Sequence, residues 1–269
     1  MELLEAIFLG LVEGVTEFLP ISSTGHLLLA QRALGIERGE AADAWSICVQ
    51  GGAIVAVLAL YPARCKQLFR GLLGQDQEGR SLGLAILVAF MPAAVIGLLA
   101  KDAIRAQLFG LTPVAWAWLV GGVVLLLFGK RMRPEAGGRE LSTLGLAGAL
   151  GIGLLQCAAF WPGTSRSLVT ILGGVLVGLS VAAAVEFSFL LGLLTLLAAS
   201  VYEGWAAREA LASAYSPTVM VAGFVTAFVS AALSMRFLVA WVRERGLELF
   251  GWYRVALGLG VLYWLGVFG

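Results

Sequence analysis

Glu13 and Glu17 stand four residues apart in VEGVTEFLPISSTGHLLL, residues 12–29, an otherwise apolar run that also holds Ser22, Ser23, Thr24 and His26, the only histidine of the chain. On a helix that spacing puts both carboxylates on one face, roughly 5–6 Å apart. Two carboxylates this close in a low dielectric do not both stay ionised without a cation or a shared proton, so the pair asks for Mg²⁺, Ca²⁺ or a proton. Glu2 and Glu5 read instead as solvated residues of the first turn. Ser22, Ser23 and Thr24 follow Pro20, where a new helix would begin. Hydroxyls there cap the helix, and its free N–H groups attract an anion. His26, three residues after Ser23, shares its helical face. It could serve as a base for Ser23, attack in its own right or activate water, and spacing does not choose among the three.

A second polar cluster, PGTSRSLVT at 162–170, supplies Thr164, Ser165, Arg166 and Ser167. The planar fork of Arg166 suits a phosphate or a carboxylate, so it either clamps an anion or pairs with Glu17. Two helix starts and an arginine attract an anion that two glutamates repel. The conflict is resolved if the anion arrives with a divalent metal or if a carboxylate moves protons, and chemistry on a phosphate meets both conditions.

The elements that must hold these groups lie in a membrane. The 269 residues are 60% hydrophobic and 13% charged, with mean hydropathy +0.93, against about 45–50% and about 25% in soluble domains. Residues 1–269 read as a single membrane domain. A net charge of +1 implies no nucleic-acid partner. Cys48, Cys65 and Cys157 form no disulfide framework or zinc site. The first basic residue is Arg32, so the first apolar stretch lacks the head of a signal peptide and is expected to be retained.

Six full spans are predicted, at about 43–61, 81–100, 111–129, 184–202, 217–241 and 251–268. Residues 1–34 and 142–178 are apolar runs broken by proline, each expected to be a re-entrant pair of short helices, because a polar turn at membrane depth must be buried in protein or line a cavity. Both share Phe-x-Pro-x-[Ser/Thr]-Ser, with Pro20 and Pro162 matched, and each is followed by three spans. The expected fold is therefore an all-α polytopic membrane protein of about ten helices. It is built as an inverted repeat of roughly 1–129 and 142–269, as in many transporters.

Basic residues fall unevenly. Arg64, Lys66, Arg70, Arg80, Lys130, Arg131, Arg133, Arg139, Arg236, Arg243 and Arg245 share one side, and Arg32, Arg38, Lys101, Arg105 and Arg208 the other. The positive-inside rule then places both termini outside, with the first hairpin entering from outside and the second from inside. Gln50 and Ser46 read as secondary polar residues, and Glu186, Arg236 and Arg254 as side chains snorkelling near membrane ends.

EGVTEFLPISSTGH and PGTSRSLVT closely resemble the motifs of the undecaprenyl-diphosphate phosphatase family, the bacitracin-resistance type of membrane enzyme. The resemblance extends through QGGAIVAVL at 50–58, MPAAVIGLL at 91–99, FSFLLG at 187–192 and YRVALG at 253–258, nearly the whole chain. It implies removal of the terminal phosphate of a polyprenyl diphosphate, undecaprenyl diphosphate, to recycle the cell-wall lipid carrier in the bacterial cytoplasmic membrane. It also implies a divalent metal, Mg²⁺ or Ca²⁺, on Glu13 and Glu17 and a site opening to the outer, periplasmic side. On that reading Ser22, Thr24, Thr164, Ser165, Arg166 and Ser167 hold the diphosphate, while Ser23, His26, Glu17 and Arg166 do the chemistry. Membrane lipid surrounds the chain, and a homodimer is left open. Leu168 stands where the family commonly has glycine, and a proline common after Phe-Ser-Phe-Leu is missing. Both bear on hairpin packing and the lipid groove. A transporter that flips a polyprenyl phosphate or another anion without hydrolysis is the alternative reading.

Overall fold

The computed structural model describes residues 1–36 and 39–267, with all their side chains except those of 40, 101–103, 105 and 106. Arg38, the side chains of Lys101 and Arg105, and the end of the last expected span thus lie outside the described residues. Twelve α-helices account for most of the described chain, with four short 3₁₀ segments and no strand among the described residues. The protein is an all-α polytopic membrane protein.

The first hairpin is α1 (Leu3–Glu17) and α2 (Ser23–Ala33), followed by α3 (Glu40–Leu60), α4 (Pro62–Leu72), α5 (Gln77–Leu108) and α6 (Leu111–Phe128). The second is α7 (Leu146–Gln156) and α8 (Arg166–Leu176), joined by a 3₁₀ turn at Cys157–Phe160. It is followed by α9 (Val181–Ala206), α10 (Arg208–Ala214), α11 (Pro217–Glu244) and α12 (Glu248–Trp264). Five of the six expected spans, carried by α3, α5, α6, α9 and α11, are apolar over 18 residues or more. The sixth, α12, is 17 residues long. It stops where Gly266 turns to φ +70° and Gly266 and Val267 donate back to Tyr263 and Leu262, the closing pattern of a helix C-terminus. The count exceeds ten because α4 and α10 are short extra helices in matching places, each between the first and second long helices of its half.

The contacts exchange between halves. α1 packs on α11 and α7 on α5, while α3 packs on α9 and α6 on α12. Association without a hydrophobic drive favours small residues at the closest approaches, and here a Cβ on Gly10 would stand 2.5 Å from the Gly223 carbonyl oxygen and one on Gly14 2.0 Å from Ser230 Oγ. Polar contacts gather one end of the bundle: Arg64 with Glu186 at 2.6 Å, Arg133 with Glu248 at 2.7 Å, and the Arg139 backbone with Gly178 and Ser180. The segments rich in lysine and arginine meet there. At the opposite end Trp45, Leu211 and Val219 cluster with Met1 against them, and Arg32 lies over Trp264. α1 begins at that basic-poor end. α7 begins beside Gly74 and Arg80, at the other.

Candidate functional site

Each hairpin turns through a serine in the left-handed region, Ser22 at φ 73° and Ser165 at φ 77°, the only non-glycine residues with positive φ among those described. That conformation is costly for a residue with a Cβ and persists only where the surroundings fix it. Both serines are the N-caps of their second helices. The caps correct the register expected from the prolines: Ser22 is two residues past Pro20, but Ser165 is three past Pro162. The additional residue follows Gly163, itself at φ +97°. Counted from the caps, Arg166 is the first residue of α8 as Ser23 is of α2, and Ser167 the second as Thr24 is, so the two second helices begin with different chemistry.

These first helical residues meet on Glu17. Ser23 Oγ donates to Glu17 Oε2 at 2.5 Å, and Arg166 Nη2 donates to Glu17 Oε1 at 2.8 Å. The pair is almost enclosed, with side-chain exposures of 12% for Arg166 and 6% for Glu17. Arg166 Nη1 donates to the Ser188 carbonyl, the Phe18 ring lies 5.8 Å from the guanidinium carbon, and Gly192 leaves the space the guanidinium fills. Besides Gln156 at the end of α7, two groups of this cluster remain unsatisfied among the described residues. Arg166 Nε has no acceptor, and both oxygens of fully buried Glu13 have no donor. Buried polar atoms without partners are rare, and here they are of opposite sign, with Glu13 in electrostatic reach of both Glu17 and Arg166.

Glu17, Ser22, Ser23, Thr24, Ser165 and Arg166 line a cavity of about 140 Å³ together with Gln50 and Thr195. It shares Thr24, Gln50, Ala159, Pro162 and Thr195 with a groove of about 600 Å³. One wall of that groove is apolar, with Phe90, Gly97, Leu98 and Phe160, and the other carries Gln31, Ser46 and Gln50. Its far end reaches Asp43 and Glu203, at the basic-poor end.

Not every expected residue faces the cavity. The structure pairs Ser23 with Glu17 and not with His26. His26 Nδ1 donates to the Ser22 carbonyl at 2.6 Å, which leaves Nε2 of the neutral ring to accept from the Tyr253 hydroxyl at 2.7 Å. The ring sits between Trp118 and Tyr253 and does not line the cavity. Ser167 ties the hairpins together, donating to the Leu19 carbonyl at 2.9 Å, and Thr164 lies in the turn outside the cavity lining. Leu168 is buried, and its N–H is capped by Ser165 Oγ. α9 runs unbroken through the stretch that lacks a proline, which leaves Thr195 on the cavity wall.

Thr195 gave no signal in the sequence, since a hydroxyl in an apolar span commonly bonds its own helix, as this one also does. The snorkelling expectation fails for Arg254. It is fully buried, with Nε and Nη2 donating to the Trp118 and Ala117 carbonyls of α6, Nη1 to Pro20 and Nη2 to Gly163. Glu186 is paired with Arg64, and Arg236 is exposed.

Among the described residues no three acidic, histidine or cysteine side chains form a metal cage. The orphaned carboxylate of Glu13 beside Glu17 does fit a hard cation that takes one or two carboxylates and completes its shell with phosphate oxygens.

Fold and site together define a polytopic helical membrane protein whose polar centre lies where two short helical hairpins meet at the end of a largely apolar groove. Residues 6–260 match the family model described as "Bacitracin resistance protein BacA", and the chain belongs to that family. It is 44% identical over 262 residues to the undecaprenyl-diphosphatase of Sorangium cellulosum, covering 96% of this chain and 85% of that one. It is 45% identical to undecaprenyl-diphosphatase 2 of Rhodospirillum rubrum, over 97% and 94% of the two chains. It is also 45% identical to undecaprenyl-diphosphatase 1 of Chromobacterium violaceum, over 98% of each.

Proposed function

We propose that this chain hydrolyses undecaprenyl diphosphate to undecaprenyl phosphate and inorganic phosphate. The observation that carries the reading, beside the names of the relatives, is the incompleteness of the hairpin centre. A buried guanidinium N–H without an acceptor lies close to a buried carboxylate without a donor, beside a cavity continuous with an apolar groove. A lipid diphosphate carrying a cation supplies what each lacks. Its prenyl chain lies along Phe90, Gly97 and Phe160, and its terminal phosphate reaches Arg166, Thr24, Ser165 and the N-termini of α2 and α8.

Ser23 attacks the terminal phosphorus through Oγ. Its proton passes to Glu17 Oε2, to which it already points, while the bond from phosphorus to the bridging oxygen breaks and undecaprenyl phosphate departs. Water then takes the phosphoryl group from Ser23, losing one proton to the phosphate released and returning the serine proton from Glu17. Arg166 neutralises charge on the transferring group and orients Glu17. Glu13 and Glu17 would hold Mg²⁺ or Ca²⁺, which when bound supplies further neutralisation of the diphosphate.

We place the groove mouth at the outer face of the bacterial cytoplasmic membrane. The basic segments meet at the opposite end, the cytoplasmic one by the positive-inside rule. The termini are then outside. The two halves form an inverted repeat, supported by the exchange of helix contacts and by the matched caps.

Phosphate release from undecaprenyl diphosphate by the purified chain in detergent tests the reading. Turnover with Mg²⁺ or Ca²⁺ and its loss in a chelator are expected. Absence of release from folded protein would favour lipid transport, which needs a sealed compartment and this assay does not.

A further inference from the structure

Arg254 lies outside the residues that line the cavity, yet it binds the hairpin tips from behind. Its partners are four carbonyl oxygens: Pro20 at 3.2 Å in the first hairpin, Gly163 at 2.9 Å in the second, and Ala117 and Trp118 of α6 at 2.8 and 3.3 Å. The two tip carbonyls belong to residues two positions before the strained caps Ser22 and Ser165. The site has room for this side chain alone: a Cβ on Gly121 would stand 2.1 Å from Nη2, and one on Gly163 2.6 Å from the Val114 carbonyl oxygen. Among the described residues no carboxylate lies within ion-pair distance of Arg254. A fully buried charge held only by carbonyl dipoles is expensive, and a neutral donor would satisfy the same backbone at less cost.

Resting on the phosphatase reading, we propose that Arg254 is a positioning residue for the reaction. Its fork fixes the separation of the two hairpin tips, and thereby of Ser23 from Arg166, and its uncompensated charge is balanced by the diphosphate when substrate binds. Four carbonyls in two hairpins and one helix need the planar fork. Lysine keeps the charge but offers three donors from one point and cannot span them. Charge and geometry are therefore separable by substitution.

The test compares wild type, Arg254→Lys and Arg254→Gln, each purified as a monodisperse detergent complex and checked by thermal melting. Phosphate release from undecaprenyl diphosphate gives kcat and KM per folded molecule. For Arg254→Lys, kcat is expected to fall on the order of 10²-fold, as for a misplacement of about 1 Å, with KM within about threefold. For Arg254→Gln, KM is expected to rise as well, by about tenfold, on the order of 1.4 kcal/mol, because the positive charge behind the tips that balances the diphosphate at a distance is gone. Equal kcat and KM for wild type and Arg254→Lys, with only the melting temperature lowered, would make the role structural and overturn the proposal.

A second measurement needs no turnover. Spin labels on Leu34→Cys and Leu176→Cys, at the far ends of α2 and α8 in a background without native cysteines, report the distance between hairpins. Arg254→Lys is expected to broaden that distribution. A distribution as narrow as that of wild type refutes the positioning claim whatever the activity. A broadened one in a protein that hydrolyses nothing keeps the geometry and removes the phosphatase reading.

Discussion

Glu17 does two things with two oxygens: it takes the hydrogen bond of Ser23 and holds Arg166. Its replacement separates proton transfer from charge pairing. Glu17→Gln keeps shape and burial but removes the base. It is expected to lower kcat on the order of 10²-fold or more, the size of a lost general base, while leaving Arg166 buried without its counter-ion and the fold less stable. Ser23→Ala removes the attacking oxygen and leaves the ion pair. It should lower kcat at least as far, with an unchanged melting temperature. Rates per folded molecule with melting curves check both, and a fast Ser23→Ala enzyme would hand the attack to water. Of the two sequence readings of Arg166, the structure shows the pairing with Glu17 through Nη2, and it leaves Nε without an acceptor, free for the anion of the other reading. Of the three roles open to His26, the structure shows no hydrogen bond to Ser23 to favour the first, because helical spacing places two residues on a face without saying which side of it a third helix covers. Trp118 of α6 and Tyr253 of α12 enclose the ring, and neither contact is visible in a linear sequence.

Proline and hydroxyls marked both hairpins because no other composition interrupts an apolar run in that way, and the helices end and begin within a few residues of where they were expected. The register between them was not legible. One more residue in the second turn slides Ser165 into the place of Ser22, and backbone conformation at Gly163, not composition, decides it. Arg254 was misread for a related reason: closeness to the end of an apolar run says nothing about what packs over it, and here the two hairpin tips do. The helix that carries both glutamates is positioned by its glycines. Gly14 faces α11 so closely that a Cβ would stand 2.4 Å from the Ala227 carbonyl oxygen and 2.6 Å from the Ala231 nitrogen, backbone atoms that cannot turn aside. Gly14→Leu is therefore expected to push α1 off α11 and displace Glu13 and Glu17 with it. Overpacking of this kind costs about 1–3 kcal/mol or more, read as a lowered melting temperature together with lost phosphate release. Gly260, whose Cβ would meet nothing within 4 Å, is the control: Gly260→Leu should change neither.

The groove and the hairpin cavity meet at shared residues, so the molecule as a whole presents a lipid-soluble approach to a polar end. About 600 Å³ is the size of a site for a small ligand, enough for a headgroup and the first prenyl units of a long chain, whose remainder must stay in the bilayer. The groove was not legible in the sequence: its wall combines residues of α2, α3, α5 and α9 with the turn before Pro162, and no local pattern links them. Gly97 packs beside Phe160 on its apolar wall, where a Cβ would stand 3.2 Å from the ring. Gly97→Leu narrows this passage without touching Glu17, Ser23 or Arg166. If the prenyl chain lies there, the substitution removes binding that the ground and transition states share, so KM for undecaprenyl diphosphate should rise about tenfold with kcat within about twofold. Geranyl diphosphate, with only two prenyl units in the groove, should show a smaller rise in KM than the long substrate. A kcat that falls equally for both substrates would mean that the substitution acts by moving Phe160 and the turn that leads to Pro162. The lipid would then reach the hairpin tips by another face of the bundle.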